Sequence, residues 1–199
     1  MISKELLVAT NNKGKLKEYN VLLKGIPFTL VSLAQQGIDF DVAETGSTFE
    51  QNAALKASEY ASASGLMTLA DDSGLEVDAL GGKPGVMSAR YAGEGATDAD
   101  RVNYLLAKII DVPWEKRTAR FKCVIAIAIK GEDVKICYGT CSGYITHQPK
   151  GTNGFGYDPI FYFPELDRTM AELTFEQKNS VSHRGKAASQ AHKLLMSLQ

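Results

Sequence analysis

Short apolar runs alternate with amphipathic stretches along the chain. The runs at 6–10 and 26–33 predict strands, and residues 13–23 between them carry apolar side chains at helical spacing. A helix is predicted at 48–64, because a Thr-x-x-Gln capping pair precedes apolar residues at steps of four. The next apolar run, 67–71, predicts a strand that ends in a tight polar loop.

The second half contains the clearest strand, at 118–130. Its side chains are apolar on both faces, which indicates a central strand covered on both sides. A turn leads to its predicted hairpin partner at 134–146, where Gly139 and Gly143 suggest a bend or bulge. The other predicted elements are a capped helix at 97–110, a strand at 160–163, a helical turn at 174–179 and a final helix at 182–198. This mixture predicts an α/β fold with a mixed sheet.

Length and charge narrow the class of protein. A chain of 199 residues accommodates one large domain or two small lobes. The formal net charge of -1 argues against nucleic acid or anionic lipid as a partner. The sequence has no apolar run that could cross a bilayer, and we expect no signal peptide from its N-terminal residues. Three cysteines without metal-binding spacing predict reduced thiols, and with them a cytoplasmic protein.

The most informative segment is Leu69-Ala70-Asp71-Asp72-Ser73-Gly74-Leu75. Two carboxylates at the end of a strand suit Mg²⁺, which takes oxygen ligands and usually keeps one or two carboxylates beside substrate phosphates. Taken alone, the segment is more often a polar turn. Glu44 lies before the capped helix at 48–64 and Lys56 two turns along it, so both are candidates for the same site. A helix-dipole contact for Glu44 and a solvated face for Lys56 are the alternatives.

A second polar loop, Thr10-Asn11-Asn12-Lys13-Gly14-Lys15, joins the first strand to the first helix. Backbone N–H groups at a helix start favour anions and Lys15 adds positive charge, so the loop resembles a phosphate cradle. It lacks the Gly-x-x-x-x-Gly-Lys-Ser/Thr pattern of a Walker A motif. By itself it is better explained as a helix start with a solvated face.

Two later segments add ligand-binding chemistry. Glycines in 151–156 allow close backbone approach, and Phe155 and Tyr157 offer flat faces for a base. His183 and Arg184 fall in the first turn of the last helix, where cations oppose the helix dipole. Such a local conflict is typical of a functional site. Core aromatics and a solvated basic turn are the alternatives, but all the segments together match a nucleoside triphosphate with Mg²⁺.

The chain resembles the Ham1/RdgB family, the inosine triphosphate pyrophosphatases, over nearly its whole length. Six motifs in order carry the resemblance. They are Thr10-x-Asn12-x-x-Lys15, Glu44-Thr45-Gly46-x-Thr48-Phe49-x-x-Asn52-Ala53, Ala70-Asp71-Asp72-Ser73-Gly74-Leu75, Pro84-Gly85-x-x-Ser88-Ala89-Arg90-Tyr91, Gly154-Phe155-Gly156-Tyr157-Asp158-Pro159 and Lys178-x-x-x-Ser182-His183-Arg184.

The resemblance implies a single domain over 1–199, made of two lobes. It implies an elongated α/β fold with a long mixed β-sheet flanked by helices and an active site in the cleft between the lobes. It also implies a homodimer and a Mg²⁺-dependent reaction. In that reaction a non-canonical purine nucleoside triphosphate such as ITP, dITP or XTP gives the monophosphate and pyrophosphate, which cleanses the nucleotide pool.

The family's functional positions carry over residue by residue. Asp72 maps to the general base, and Glu44 and Asp72 map to the metal ligands. We expect Lys15 and Lys56 to hold the phosphates, and His183 and Arg184 to read the purine 6-oxo group. The positions implied to contact substrate are Thr10, Asn11, Asn12, Lys13, Gly14, Lys15, Ser73, Phe155, Gly156, Tyr157, Asp158, Lys178, His183 and Arg184.

Two alternatives stay open. One is a pyrophosphatase of the same fold that acts on another nucleotide, such as a modified pyrimidine. The other is a nucleotide-binding regulator without catalysis, which does not need Asp72 and Glu44 together with the lysines.

Overall fold

The computed structural model describes residues 4–198, and seven strands in that part of the chain form one sheet. They are β1 (Lys4–Val8), β2 (Phe28–Ser32), β3 (Met67–Val77), β4 (Thr118–Ala128), β5 (Lys135–Ile145), β6 (Phe161–Phe163) and β7 (Arg168–Thr169). Their order is β2-β1-β3-β4-β5-β6-β7. β1 pairs in parallel with β2 and β3, whereas β6 pairs antiparallel with β5 and β7. The predicted α/β fold with a mixed sheet is confirmed.

Five α-helices accompany the sheet within residues 4–198. They are α1 (Lys13–Leu22), α2 (Phe49–Ser64), α3 (Asp98–Lys108), α4 (Phe175–Val181) and α5 (His183–Ser197). The predicted caps of α2 and α3 form, because the side chains of Thr48 and Thr97 each accept a bond from the backbone N–H three residues on. Asn12 caps α1 in the same way, which was not predicted. Such caps satisfy N–H groups that have no partner inside the helix. In the described part of the chain, every helix is too short or too polar to cross a membrane.

The chain separates into two compact units. The first contains the residues up to Asp72, Cys123–Gly139 and the residues from Arg184 onward. The second contains Ser73–Lys122 and Thr140–His183. Each of these units has its own hydrophobic core, and α1 and α5 contribute to the first whereas α3 and β6 contribute to the second. The three cysteines are buried thiols.

β3 is longer than its prediction. We expected a strand at 67–71 and a loop at Asp71–Gly74, but the strand continues to Val77. Asp71 and Asp72 are only 2% and 6% exposed, so both acids lie inside the sheet. The prediction of a loop is wrong, because local polarity does not show which charged side chains elsewhere in the chain contact these acids.

Gly143 permits a close approach between strands of the second unit. It lies in β5, and a Cβ atom at this position would come within 2.3 Å of the Tyr162 backbone oxygen and 2.8 Å of the Phe161 ring. Tyr162 and Phe161 belong to β6, whose register pairs Tyr144 with Tyr162. The glycine is therefore required by the pairing of β5 with β6.

We expect Gly143→Ala to destabilise the protein by about 1–3 kcal/mol, the usual range for overpacking. The clashing atom is a backbone oxygen, so the strands have to separate. Urea unfolding measures the loss. Ser142→Ala is the matched control, because Ser142 is exposed on the same strand, and we expect a change within about 0.5 kcal/mol. Equal stability of the two variants contradicts the close approach.

Candidate active site

The loop that precedes α1, at residues 10–12, forms the N-terminal cap of that helix. Thr10 Oγ1 accepts a bond from the Asn12 N–H at 3.2 Å, and Asn12 Oδ1 accepts one from the Lys15 N–H at 3.1 Å. Asn11 donates to Asp41 at 2.6 Å. Lys13 and Gly14 form the first turn of α1 and are exposed and partly buried respectively. The loop thus presents polar groups at a helix N-terminus, where anions are favoured.

Asp71 is held by cations from two helices. Its Oδ2 lies 2.9 Å from Lys15 Nζ and 3.4 Å from Arg184 Nη2. Arg184 Nη1 in turn donates to Glu18 Oε2 at 2.7 Å, and all three ionic side chains, Asp71, Arg184 and Glu18, are at most 3% exposed. Burial by itself raises the pKa of Asp71, but Lys15, Arg184 and Lys56 outweigh it and hold that pKa well below its usual range. Asp71 is therefore a fixed anion.

Asp72 has a different environment. Asn52 Nδ2 donates to its Oδ2 at 3.0 Å, and Lys56 Nζ lies 3.9 Å from its Oδ1. Burial raises the pKa of Asp72; Lys56 opposes this effect and Glu44 adds to it, and the net direction is upward. A carboxylate with a raised pKa is a better proton acceptor. The adjacent acids are thus tuned in opposite directions.

Glu44 and Asp72 converge on one cation. Lys56 Nζ lies 2.6 Å from Glu44 Oε1 as well as 3.9 Å from Asp72 Oδ1. Burial lowers the pKa of Lys56, but Asp72, Asp71 and Glu44 overcome it and raise the pKa, so Lys56 stays protonated. The two carboxylates therefore already share a position that favours positive charge.

The pair of carboxylates Glu44 and Asp72 suits Mg²⁺ better than it suits a metal ion whose ligands all come from the protein. Among residues 4–198 there is no group of three or more His, Cys, Asp or Glu side chains that could hold a metal. Mg²⁺ is commonly bound by one or two carboxylates and keeps its other positions for water and substrate phosphates. Glu44 and Asp72 supply that number of ligands.

Asn52 links the two carboxylate segments and was missing from the predicted site. Besides its bond to Asp72, it accepts a bond from the Gly46 N–H at 2.8 Å, two residues after Glu44. A Cβ atom on Gly46 would lie 2.7 Å from Asn52 Oδ1, so the loop requires glycine there. The signal was present in the sequence, because Asn52 follows the cap of α2 by one turn and faces the same side as Lys56.

In the second unit, the glycine-rich loop closes around a buried ion pair. Asp158 Oδ2 accepts bonds from the Phe155 N–H at 2.9 Å and from Lys178 Nζ at 2.5 Å. Lys178 Nζ also lies 4.4 Å from the centre of the Phe155 ring. Gly154 has φ +77, and a Cβ atom there would lie 2.1 Å from Asp158 Oδ2. These contacts fix the backbone and ring of Phe155.

The two aromatic side chains of this loop differ. Phe155 is partly exposed, whereas Tyr157 is 4% exposed and belongs to the core of the second unit. The Tyr157 hydroxyl donates to the Ser88 backbone oxygen at 3.0 Å. The structure therefore favours Phe155 over Tyr157 as the surface on which a base could stack.

His183 and Arg184 are buried, although we expected both to read the base. His183 stacks on Phe121 with ring centres 4.6 Å apart and planes 11° apart. Arg184 is bonded to Glu18 and Asp71, as described above, and these carboxylates explain why a cation is tolerated at the start of α5. Glu18 was missed because its only sequence signal is its position three residues after Lys15 on α1. Ser73 follows Asp72 in β3 and is partly buried.

Comparison with known proteins finds a family, relatives and solved structures similar to this chain. The sequence matches the model of the Ham1 family over residues 6–194. It is 51% identical over 192 residues to the dITP/XTP pyrophosphatase of Halalkalibacterium halodurans, covering 96% of this chain and 99% of that one. It is 47% identical over 195 residues to the dITP/XTP pyrophosphatase of Bacillus subtilis, covering 98% of both. The Staphylococcus aureus Ham1 protein structure matches with a TM-score of 0.88 at 44% identity, covering 98% of this chain and 100% of that one.

The opposite tuning of the two acids predicts unequal effects on stability. Asp71→Asn removes the carboxylate that faces the partly buried Lys15 and the buried Arg184, and of the two carboxylates described beside Arg184 it leaves Glu18. We therefore expect a loss of about 3–5 kcal/mol, the range for removing one partner of a buried pair. Asp72→Asn should cost less, because a raised pKa means that the fold disfavours the charge there. Urea unfolding of both variants checks this. Similar losses contradict the separation of roles.

The lowered pKa of Asp71 also predicts a pH dependence. Since the folded-state pKa lies below the unfolded value of about 3.9, the ionised carboxylate stabilises the fold fully above that pH. That stabilisation is lost as the pH falls toward the folded-state pKa. The difference in unfolding free energy between wild type and Asp71→Asn should therefore be constant near neutral pH and shrink below about pH 4. A constant difference through that range contradicts the prediction.

Proposed function

Because this chain belongs to the Ham1 family, we propose that it hydrolyses non-canonical purine nucleoside triphosphates, including ITP, dITP and XTP, to the monophosphate and pyrophosphate. The full-length relatives that are named dITP/XTP pyrophosphatases support this substrate class. The observation that carries the chemistry is the pairing of a proton acceptor of raised pKa, Asp72, with the cation Lys56 beside it. A regulator that only binds nucleotides has no use for that arrangement.

The reaction is displacement of pyrophosphate by water at the α-phosphorus. Asp72 takes the proton of the attacking water, and its raised pKa suits that task. Lys15 and Lys56 bind phosphate oxygens and share the charge that develops on the leaving pyrophosphate. Fixed cations of this kind also hold the reacting groups in line.

Glu44 and Asp72 would hold Mg²⁺, which supplies neutralisation of phosphate charge when it is bound. Asn52 keeps these two segments in place through its bonds to Asp72 and to the Gly46 N–H. The Thr10–Lys15 loop adds backbone and side-chain donors at the start of α1, which suits phosphate oxygens. Each of these groups acts within the first unit.

The loop at 155–158 is proposed as the base-contacting segment. The exposed part of the Phe155 ring offers a stacking surface, and Lys178 Nζ above it is a donor for a purine 6-oxo group. Adenine carries a 6-amino donor instead, which would face the ammonium unpaired. Sites that hydrogen-bond a substrate group can reject an analogue lacking it by about 10⁴-fold. His183 and Arg184 remain proposed contributors to the same discrimination.

Two further proposals follow from the family. We propose that the chain acts as a homodimer. We also propose a cytoplasmic location, where the nucleotide pool and reduced thiols are found; the three free cysteines agree with it.

Product analysis with dITP and Mg²⁺ tests the proposed function. We expect dIMP and pyrophosphate, with little turnover of dATP. Asp72→Asn should lower kcat by at least about 100-fold, the lower range for loss of a general base. Asp133→Asn, at an exposed turn, is the matched control with unchanged kcat. Formation of dIDP and phosphate contradicts attack at the α-phosphorus, and tight dITP binding without turnover favours the regulator.

A further inference from the structure

We propose that Asp98 is a positioning residue for the base-contacting loop, which it holds from the start of α3 without touching the nucleotide. This inference rests on the proposed function, because it assigns the loop at 155–158 to the substrate. It adds a residue that lies outside all six sequence motifs. Its evidence is a chain of contacts within the second unit.

The central contact is a hydrogen bond to the middle of the loop. The Gly156 N–H donates to Asp98 Oδ2 at 2.7 Å. Gly156 has φ +63, in the left-handed region that favours glycine. Asp98 therefore restrains the peptide directly after Phe155, at a residue whose backbone is otherwise free to adopt several conformations.

Asp98 is itself held in place by Arg101. Arg101 Nη2 forms an ion pair with Asp98 Oδ1, while Nη1 donates to the backbone oxygens of Ala96 at 2.5 Å and Ala89 at 3.1 Å. One guanidinium thus ties together the acid, the turn before α3 and the segment at 85–90. Because the donors of a guanidinium are fixed in one plane, these contacts restrict the orientation of Asp98.

The same segment holds the next residue of the loop. Ser88 accepts the Tyr157 hydroxyl through its backbone oxygen, and its side chain accepts from the Leu75 N–H at 2.9 Å and donates to Gly85 O at 2.6 Å. The loop is therefore anchored at Gly156 and Tyr157 from the side of α3 and the 85–90 segment. The Asp158–Lys178 pair anchors it at Phe155 and Asp158.

The exposure of the Asp98 side chain sets the size of the expected change in KM. The Asp98 side chain is 47% exposed, so water competes for its hydrogen bonds. Its loss should loosen the loop rather than unfold the unit. We therefore expect Asp98→Ala to raise KM for dITP about three- to tenfold, the range of one hydrogen bond of ordinary net strength. Asp98 is far from the proposed general base, Asp72, in the sequence, and the contacts described for the two residues are different. We therefore expect kcat to change by less than about twofold.

Three variants test the proposal by steady-state kinetics with dITP and Mg²⁺. Asp98→Ala should show the rise in KM with kcat retained. Asp98→Asn keeps one oxygen acceptor for the Gly156 N–H but gives up the ion pair with Arg101, so its KM should lie below that of Asp98→Ala. Asp100→Ala removes the capping-box carboxylate of the same helix, which accepts from the Thr97 N–H rather than from the loop, and should leave KM unchanged.

Two results overturn the proposal. One is an unchanged KM in Asp98→Ala. The other is an equal rise in Asp100→Ala, which would attribute the effect to the helix as a whole. Amide hydrogen exchange at Gly156 in the free protein tests the contact with Asp98 independently of the proposed function. Exchange should be faster in Asp98→Ala than in Asp98→Asn. Faster exchange with no dITP binding by the wild type keeps the contact but rejects both the substrate class and the positioning role.

Discussion

Side chains of successive residues in a strand point to opposite faces, and this alternation separates Asp71 from Asp72 in β3. Asp71 meets Lys15 and Arg184, whereas Asp72 meets Asn52 and, at longer range, Lys56. Burial disfavours ionisation of both carboxylates, so the neighbouring charges decide the outcome: cations prevail at Asp71, whereas Glu44 opposes them at Asp72. One acid becomes a permanent anion that orders its surroundings, and the other remains able to accept a proton. A shift of one residue in register would exchange these environments.

The buried and partly buried charges around Asp71 balance one another. Lys15 and Arg184 are cations, Asp71 and Glu18 are anions, and each contacts at least one opposite charge. Such a group is stable only as a whole, since removing one member leaves another buried without compensation. It also places Lys15 at the helix start that would bind phosphate. Any contact between Arg184 and a nucleotide competes with these two carboxylates.

Sequence patterns predicted the parts of the fold that depend on local chemistry. The predicted caps of α2 and α3 and the apolar strand β4 were confirmed. A cap depends on contacts between residues three apart, and a strand on side chains that alternate between its two faces, so both can be recognised locally. The resemblance to the Ham1 family was confirmed as well. The extension of β3 through Asp72 was not predicted, because it depends on cations that are distant in sequence.

The same reason applies to the residues that were missed. Glu18 acts through a contact far along the chain, at Arg184, and a glutamate is not unusual on a helix. Asn52 also acts at a distance, on Asp72, although its spacing from Lys56 on α2 was a usable signal. Asp98 reaches a loop 58 residues away. The two-residue strand β7 is too short to show any periodicity. Tertiary contacts, rather than local propensity, decide each of these features.

The central claim is that adjacent carboxylates in β3 are tuned in opposite directions. Carboxyl ¹³C NMR of the protein as a function of pH, with Asp71→Asn and Asp72→Asn to assign the resonances, measures it directly. The account predicts that Asp72 titrates above the ordinary range of an aspartate, while Asp71 stays ionised well below it for as long as the fold survives. Titration of the two groups together, or Asp71 above Asp72, contradicts the account.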